Sequence, residues 1–199
     1  MIYIIHSVKK GPIKMRVSRE QMAVHRSQIL DSAARLFREQ GFDAVTVADV
    51  MKAAGLTHGG FYRHFASKDA LIAAAIGQAQ EQAAAHPAFP AEDLPTYLAA
   101  YLSPEHRDHP ADGCPVAGMG PAAIRQGTET RAIMTEGLKR QIARLTKSAP
   151  GKTPQAKRQC AIATWSAMVG AVILARLAND TDLSDEILKS THAELAARK

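Results

Sequence analysis

Apolar positions recur at helical spacing along almost the whole of this chain. Val47, Val50, Met51 and Ala54 fall at i, i+3, i+4 and i+7, which lines one face of a helix that ends at Gly55. Thr46 supplies an N-cap with Asp49 in the first turn, and Thr57 is placed to cap a second short helix directly after the turn. Two short helices joined by a tight turn predict a helix-turn-helix. In the second of them Leu56, Phe61 and Phe65 are expected to face inward, which leaves His58, Gly59, Tyr62 and Arg63 on the other side. Donors and small residues on an outer helix face suit a DNA major groove. The adjacent Gly59 and Gly60 each cost roughly 1 kcal/mol of helix propensity relative to alanine. Close backbone approach to DNA or to a neighbouring helix is the expected compensation.

The flanks continue the helical pattern. Ser18 and Gln21 predict a capping box for a long helix that carries Ile29, Leu30, Ala33, Ala34 and Phe37 on one face and ends at Gly41. Ser67-Lys68-Asp69 opens another, with Leu71, Ile72, Ala75, Ile76 and Ala79 inward, predicted to run to about Ala85 because the residue before Pro87 is disfavoured in α. A short helix is expected around Leu94, Leu98 and Leu102. Residues 103–127, rich in Pro, Gly and charge, read as a long irregular connection with a short helix near 116–126. Residues 128–148 carry an apolar stripe of Ile133, Met134, Leu138, Ile142 and Leu145, and Ile187, Leu188, Thr191 and Leu195 mark a last helix. Between them, 154–179 forms the longest predicted helix. It is small on one side (Cys160, Ala161, Ala163, Ala167, Gly170, Ala171, Ala175) and large on the other (Trp165, Val169, Val172, Ile173), as expected of two buried faces. Period-2 alternation is missing outside the first few residues, so an all-α fold is predicted.

The order of long helix, Gly-Phe turn, two short helices, aromatic cluster, Ser-Lys cap and long helix, over residue 18 to about 76, closely resembles the DNA-binding domain of TetR-family transcriptional regulators. The resemblance implies a three-helix DNA-binding domain with its helix-turn-helix at 18–66, a helical ligand-binding and dimerisation domain at 67–199, and a tail at 1–17. It implies backbone-phosphate contacts from Thr46, Tyr62 and Lys68, and base reading from Thr57, His58, Gly59, Arg63 and His64. The implied partners are double-stranded DNA with a pseudo-palindromic operator, a second copy of the chain joined through the last two helices, and a small-molecule effector that releases a repressor. The helix from Ser67 would then connect the two domains and transmit its own swing. Gly113-Cys-Pro-Val116 resembles an element that borders the ligand pocket in one branch of that family. Cys114, Met119, Met134, Trp165 and Met168 are the candidate pocket residues, since methionine adapts to varied ligand shapes.

Composition sharpens the picture at a few points. The 199 residues are 46% hydrophobic with few aromatics, and residues 1–70 hold eleven Lys and Arg against six Asp and Glu, an excess expected of a phosphate-binding half. Lys9, Lys10, Lys14 and Arg16 would give the tail a basic arm able to reach a minor groove, although an untethered, disordered tail is the favoured expectation and an upstream translation start a further one. Two cysteines, Cys114 and Cys160, make no disulfide framework, and with neither a secretory signal nor an apolar run approaching ~20 residues a cytoplasmic protein away from membranes is expected. His106, His109 and Cys114 match no strong zinc spacing, so no metal is expected. No cofactor or enzymatic signature stands out. Cys114 at a helix start is a candidate reactive thiol, with mid-helix Cys160 expected to react more slowly. A thiol-sensing regulator, or a helical thiol or metal protein without DNA activity, is therefore the alternative function.

Overall fold

The structure, a computed structural model, describes residues 18–87, 89–90 and 93–198. Those residues form an all-helical protein: α1 (Arg19–Ala44), α2 (Val47–Ala53), a 3-10 helix (His58–Arg63), α3 (Lys68–Ala85), α4 (Leu94–Tyr101), α5 (Pro104–Asp108), a 3-10 turn (Pro110–Asp112), α6 (Pro115–Ala123), α7 (Thr128–Ser148), α8 (Pro154–Leu177) and α9 (Thr181–Ala196). The proposed basic arm and the rest of residues 1–17 lie outside the described residues.

Most helix starts are set by side-chain caps. Ser18, Thr46, Ser67, Asp93, Ser103, Thr153 and Asp180 each accept a backbone N–H of the following turn. Four such N–H groups per helix have no partner within the helix, so a cap removes part of that cost. At Thr46 the box is reciprocal, since Asp49 returns a bond to the Thr46 backbone N–H at 2.9 Å. Helix α1 breaks at Gly41, whose φ of 80° lies in the left-handed region that glycine enters without a Cβ clash.

Two apolar clusters follow. The first is built from α1, α2, the 3-10 helix and α3, with Phe37, Phe42, Phe61 and Phe65 inside it, and extends to Met119 and Ala123 of α6 and Met134 of α7. The second fills the space between α4, α6, α7, α8 and α9 around Tyr101, Trp165, Met168 and Leu188. Helix α6 lies flush on α1, because a Cβ at Gly118 would come within 3.1–3.2 Å of the Arg38 backbone.

Four sequence expectations change. Residues 58–63 form a 3-10 helix, closed by Gly60 N–H to Thr57 O and His64 N–H to Phe61 O, and Thr57 makes no side-chain cap. Two glycines and a missing cap leave little to favour the α form there. The connection after residue 102 is largely helical, because Ser103 caps α5 with Pro104 at its first position and α6 begins at Pro115. Helix α8 is, by length and composition, apolar enough to cross a membrane, contrary to the reading that no run approaches that length. Its inner face also mixes sizes: Ala161, Ala171 and Ala175 are buried together with Trp165, Met168 and Val172, and the helix packs against α7 and α9.

Candidate functional site

The first candidate surface is the outer side of α2 and the 3-10 helix. Phe61 and Phe65 stack at 5.8 Å between ring centres and are both buried, and Met51 belongs to the same apolar cluster. This anchors the segment and turns the intervening residues outward. Thr46, Thr57, His58, Gly59, Tyr62 and Arg63 are exposed together, with Tyr62 at 71%. A Cβ at Gly59 would meet nothing within 4 Å, so its own fold does not require glycine there.

Lys68 is half-buried at the first position of α3. His64 stands apart from the outward set: it is half-buried, its carbonyl accepts from Arg26 at 2.6 Å, and its ring meets His25 edge-on. Burial, with His25 and two arginines nearby, holds its pKa below the ordinary imidazole value. Arg26 in turn lies over the Phe65 ring at 4.2 Å, which ties the end of the 3-10 helix to α1.

The charge of this surface is smaller than the first seventy residues suggest. Residues 18–70 carry seven Lys and Arg against six Asp and Glu, and four of the eleven basic residues lie at positions 9, 10, 14 and 16. Most of the basic excess therefore belongs to residues outside the described fold.

The second candidate is a cavity of about 110 Å³ between α3, α4, α6, α7 and α8. Cys114 and Trp165 line it, whereas Met119 and Met168 are fully buried elsewhere in the two cores and Met134 sits behind Gln80. Sequence reasoning missed Gln80, Tyr97, Tyr101, Arg140 and Arg144, which also line the cavity. The tyrosines sit on one face of the short helix whose leucines alone were read as its stripe. Gln80 reaches across from α3 over Gly137, where any Cβ would collide with its amide, and it accepts from Arg140 at 3.2 Å. Tyr97 accepts from Gln141 at 2.8 Å. Burial raises the phenol pKa of both tyrosines, and for Tyr101 the adjacent Cys114 adds to it, so both remain hydroxyl donors at neutral pH.

His106, read from the sequence as a loop residue, is buried beneath the cavity wall. Its Nδ1 lies 2.7 Å from the Tyr101 carbonyl, and Nε2 accepts the Cys114 backbone N–H at 2.9 Å. No group of three or more His, Cys, Asp and Glu among the described residues is arranged to hold a metal. Accessibility of the two thiols runs opposite to expectation, since Cys114 is buried and Cys160 is half-exposed near the start of α8. The segment just ahead of Cys114 is tied to α1: Arg38 Nε donates to the Ala111 carbonyl at 2.6 Å and Arg35 pairs with Asp112.

Residues 29–75 match the family model described as bacterial regulatory proteins, tetR family. The chain is 41% identical over 70 residues to the HTH-type transcriptional repressor Rv1474c of Mycobacterium tuberculosis (strain ATCC 25618 / H37Rv), a stretch that covers 35% of this chain and 37% of that protein. It is 47% identical over 47 residues to the HTH-type transcriptional repressor KstR2 of Rhodococcus jostii (strain RHA1), covering 24% and 23%. The chain thus spans little more than a third, or less, of these curated relatives. The fold is similar over a greater length to solved structures. These include the reduced form of E. coli NemR (TM-score 0.67, 19% identity, 87% of this chain and 96% of that one) and a TetR-family regulator from Cytophaga hutchinsonii (TM-score 0.70, 19% identity, 92% and 98%).

Proposed function

We infer that this chain, whose N-terminal helices belong to the TetR family of bacterial regulatory proteins, is a transcriptional repressor that binds operator DNA as a homodimer and is released by a small molecule. The observation that carries the reading is the outward set of Thr46, Thr57, His58, Gly59, Tyr62 and Arg63, held by buried Phe61 and Phe65, in the segment matched by the family model. Hydroxyls and a lysine suit phosphates, so Thr46 and Lys68 at helix starts and the exposed Tyr62 take the backbone contacts. His58 and Arg63 carry the donors that read base edges. His64, turned toward α1, contributes through its position at the edge of the 3-10 helix.

Release follows from the links between the cavity and the DNA-binding helices. Gln80 belongs to α3, the helix that Lys68 opens, and Arg38 belongs to α1. A ligand that prefers one spacing of α3, α6 and α7 shifts the DNA-binding helices, and linkage requires DNA to weaken that ligand by the same factor. The boundary between DNA-binding and ligand-binding parts falls in this reading at residues 66 and 67.

Fluorescence anisotropy on the DNA that flanks the chain's own coding region tests the function. A site bound more tightly than random duplex supports it, and equal binding of all duplexes at every salt concentration refutes it.

A further inference from the structure

The cavity holds an unusual polar balance. Tyr101 Oη and Trp165 Nε1 are buried and have no oxygen or nitrogen partner among the described residues, the Cys114 thiol beside Tyr101 being a weak one, and both side chains line the same space. A buried polar group without a partner costs about 1–3 kcal/mol, so two around one cavity point to something that satisfies them when it is filled. Trp165 can only donate, and Tyr101, kept protonated by burial and by the adjacent Cys114, is a hydroxyl donor whose present neighbour is only a weakly accepting sulfur.

The charged residues of the lining, Arg140 and Arg144, are both cations, and no Asp or Glu lines the cavity. The remaining wall is mostly apolar, from Ala83, Ala84, Phe89 and Val116. The N-terminal end of α6, marked by Cys114 and Pro115, also borders the space, and a helix start favours negative charge.

We propose that the cavity binds a compact monocarboxylate, its oxygens accepting from Tyr101 and Trp165, Arg140 and Arg144 supplying countercharge, and its short apolar body lying against Phe89 and Val116. The proposal rests on the preceding reading only for the consequence of binding, which is release of DNA. The size sets an upper limit, since a cavity of about 150 Å³ takes up benzene and this one is about 110 Å³, which favours a short aliphatic acid over an aromatic one. A carboxylate is favoured over a neutral carbonyl because two guanidinium groups without an acid partner in the lining offset the desolvation of one negative charge.

Calorimetric titration of the full chain with butyrate and benzoate, against butyramide and benzamide, tests the ligand class. At least one acid binding roughly tenfold or more tightly than its amide supports the proposal. Acid and amide binding equally, or no heat from any of the four, overturns it. Tyr101→Phe removes the orphaned hydroxyl while keeping the ring, so it should fold with unchanged or higher thermal stability and weaken the acid roughly tenfold. A stable Tyr101→Phe protein with unchanged acid affinity overturns the assigned geometry. DNA binding measured in parallel separates the two readings. Operator binding without carboxylate binding refutes the ligand class alone, and carboxylate binding that leaves DNA affinity unchanged supports the site and refutes the release mechanism.

Discussion

His106 Nε2 accepts the backbone N–H of Cys114 at 2.9 Å, a bond that exists only while the imidazole is neutral. Its Nδ1–H then donates to the Tyr101 carbonyl, so one ring joins the end of α4 to the start of α6. Burial pushes the His106 pKa down to about 4, with Arg176 and His86 adding to the effect against the Tyr101 bond. The folded value lies below the unfolded one near 6.5, so this contribution is fully present above about 6.5 and is lost as the pH falls through 4. It amounts to about 3 kcal/mol. His106→Asn should keep the donor to Tyr101, strand the Cys114 N–H, cost about 1–3 kcal/mol at pH 7 and flatten the pH dependence between 6.5 and 4. Urea unfolding of both proteins across that range measures it, and parallel curves would show that His106 does not set the slope.

The tie between residues 111–112 and α1 is unequal in its two parts. Arg38 is 6% exposed and donates to the Ala111 carbonyl, whereas Arg35 and Asp112 pair with more than half of each side chain in solvent. Exposed pairs contribute little, so Asp112→Ala should cost under about 1 kcal/mol. Arg38→Met strands a carbonyl and should cost about 1–3 kcal/mol. Denaturant midpoints at constant slope check both. Equal losses would mean that the exposed pair matters as much as the buried one.

Gly59 has helical-range backbone and open space where a Cβ would go, so its own chain does not need it. Gly59→Ala should leave stability unchanged or raise it by up to about 1 kcal/mol. If the DNA backbone approaches this surface closely, the added methyl should weaken operator binding at least tenfold. Anisotropy together with thermal melting decides it, and an alanine variant that binds DNA normally would remove the close approach.

How much of this was legible in the sequence follows the physics of each feature. Caps and apolar periodicity gave the bounds of α7 to the residue and those of α3 to within about one, because Ser67 and the 128–148 stripe act locally. The 3-10 form of 58–63 was not legible: it reflects what Thr57 and two glycines fail to supply. The donor set of the cavity was hidden for a different reason. Tyr101, Arg144 and Trp165 come from three helices, and only packing reveals that two of them lack partners. The basic excess misled by location, since a sum over residues 1–70 hides that four cations sit at positions 9–16.

The outer face of α8 leaves large apolar side chains in solvent. Ile162, Leu174 and Leu177 are 40%, 55% and 75% exposed, and Leu183 at the start of α9 is 48% exposed beside them. With Ser166 and Gly170 between, these positions follow one another at three- and four-residue steps, so they form a continuous stripe along the helix. Covering a leucine contributes about 1.5–3 kcal/mol, and a two-fold contact covers each residue twice. Ala171, grouped with Gly170 in the sequence, instead points into its own core, so of the two Gly170 offers the point of close approach. A Cβ at Gly170 meets nothing within 4 Å, which means that Gly170→Trp should fold as a single chain yet obstruct a partner. Leu174→Glu should act in the same direction by placing a charge in the stripe. Light scattering should report a dimer for the native protein and a monomer for both variants, with helical circular dichroism unchanged and operator binding weakened because half-sites are read in pairs. Folded variants that remain dimers would place the contact between subunits elsewhere.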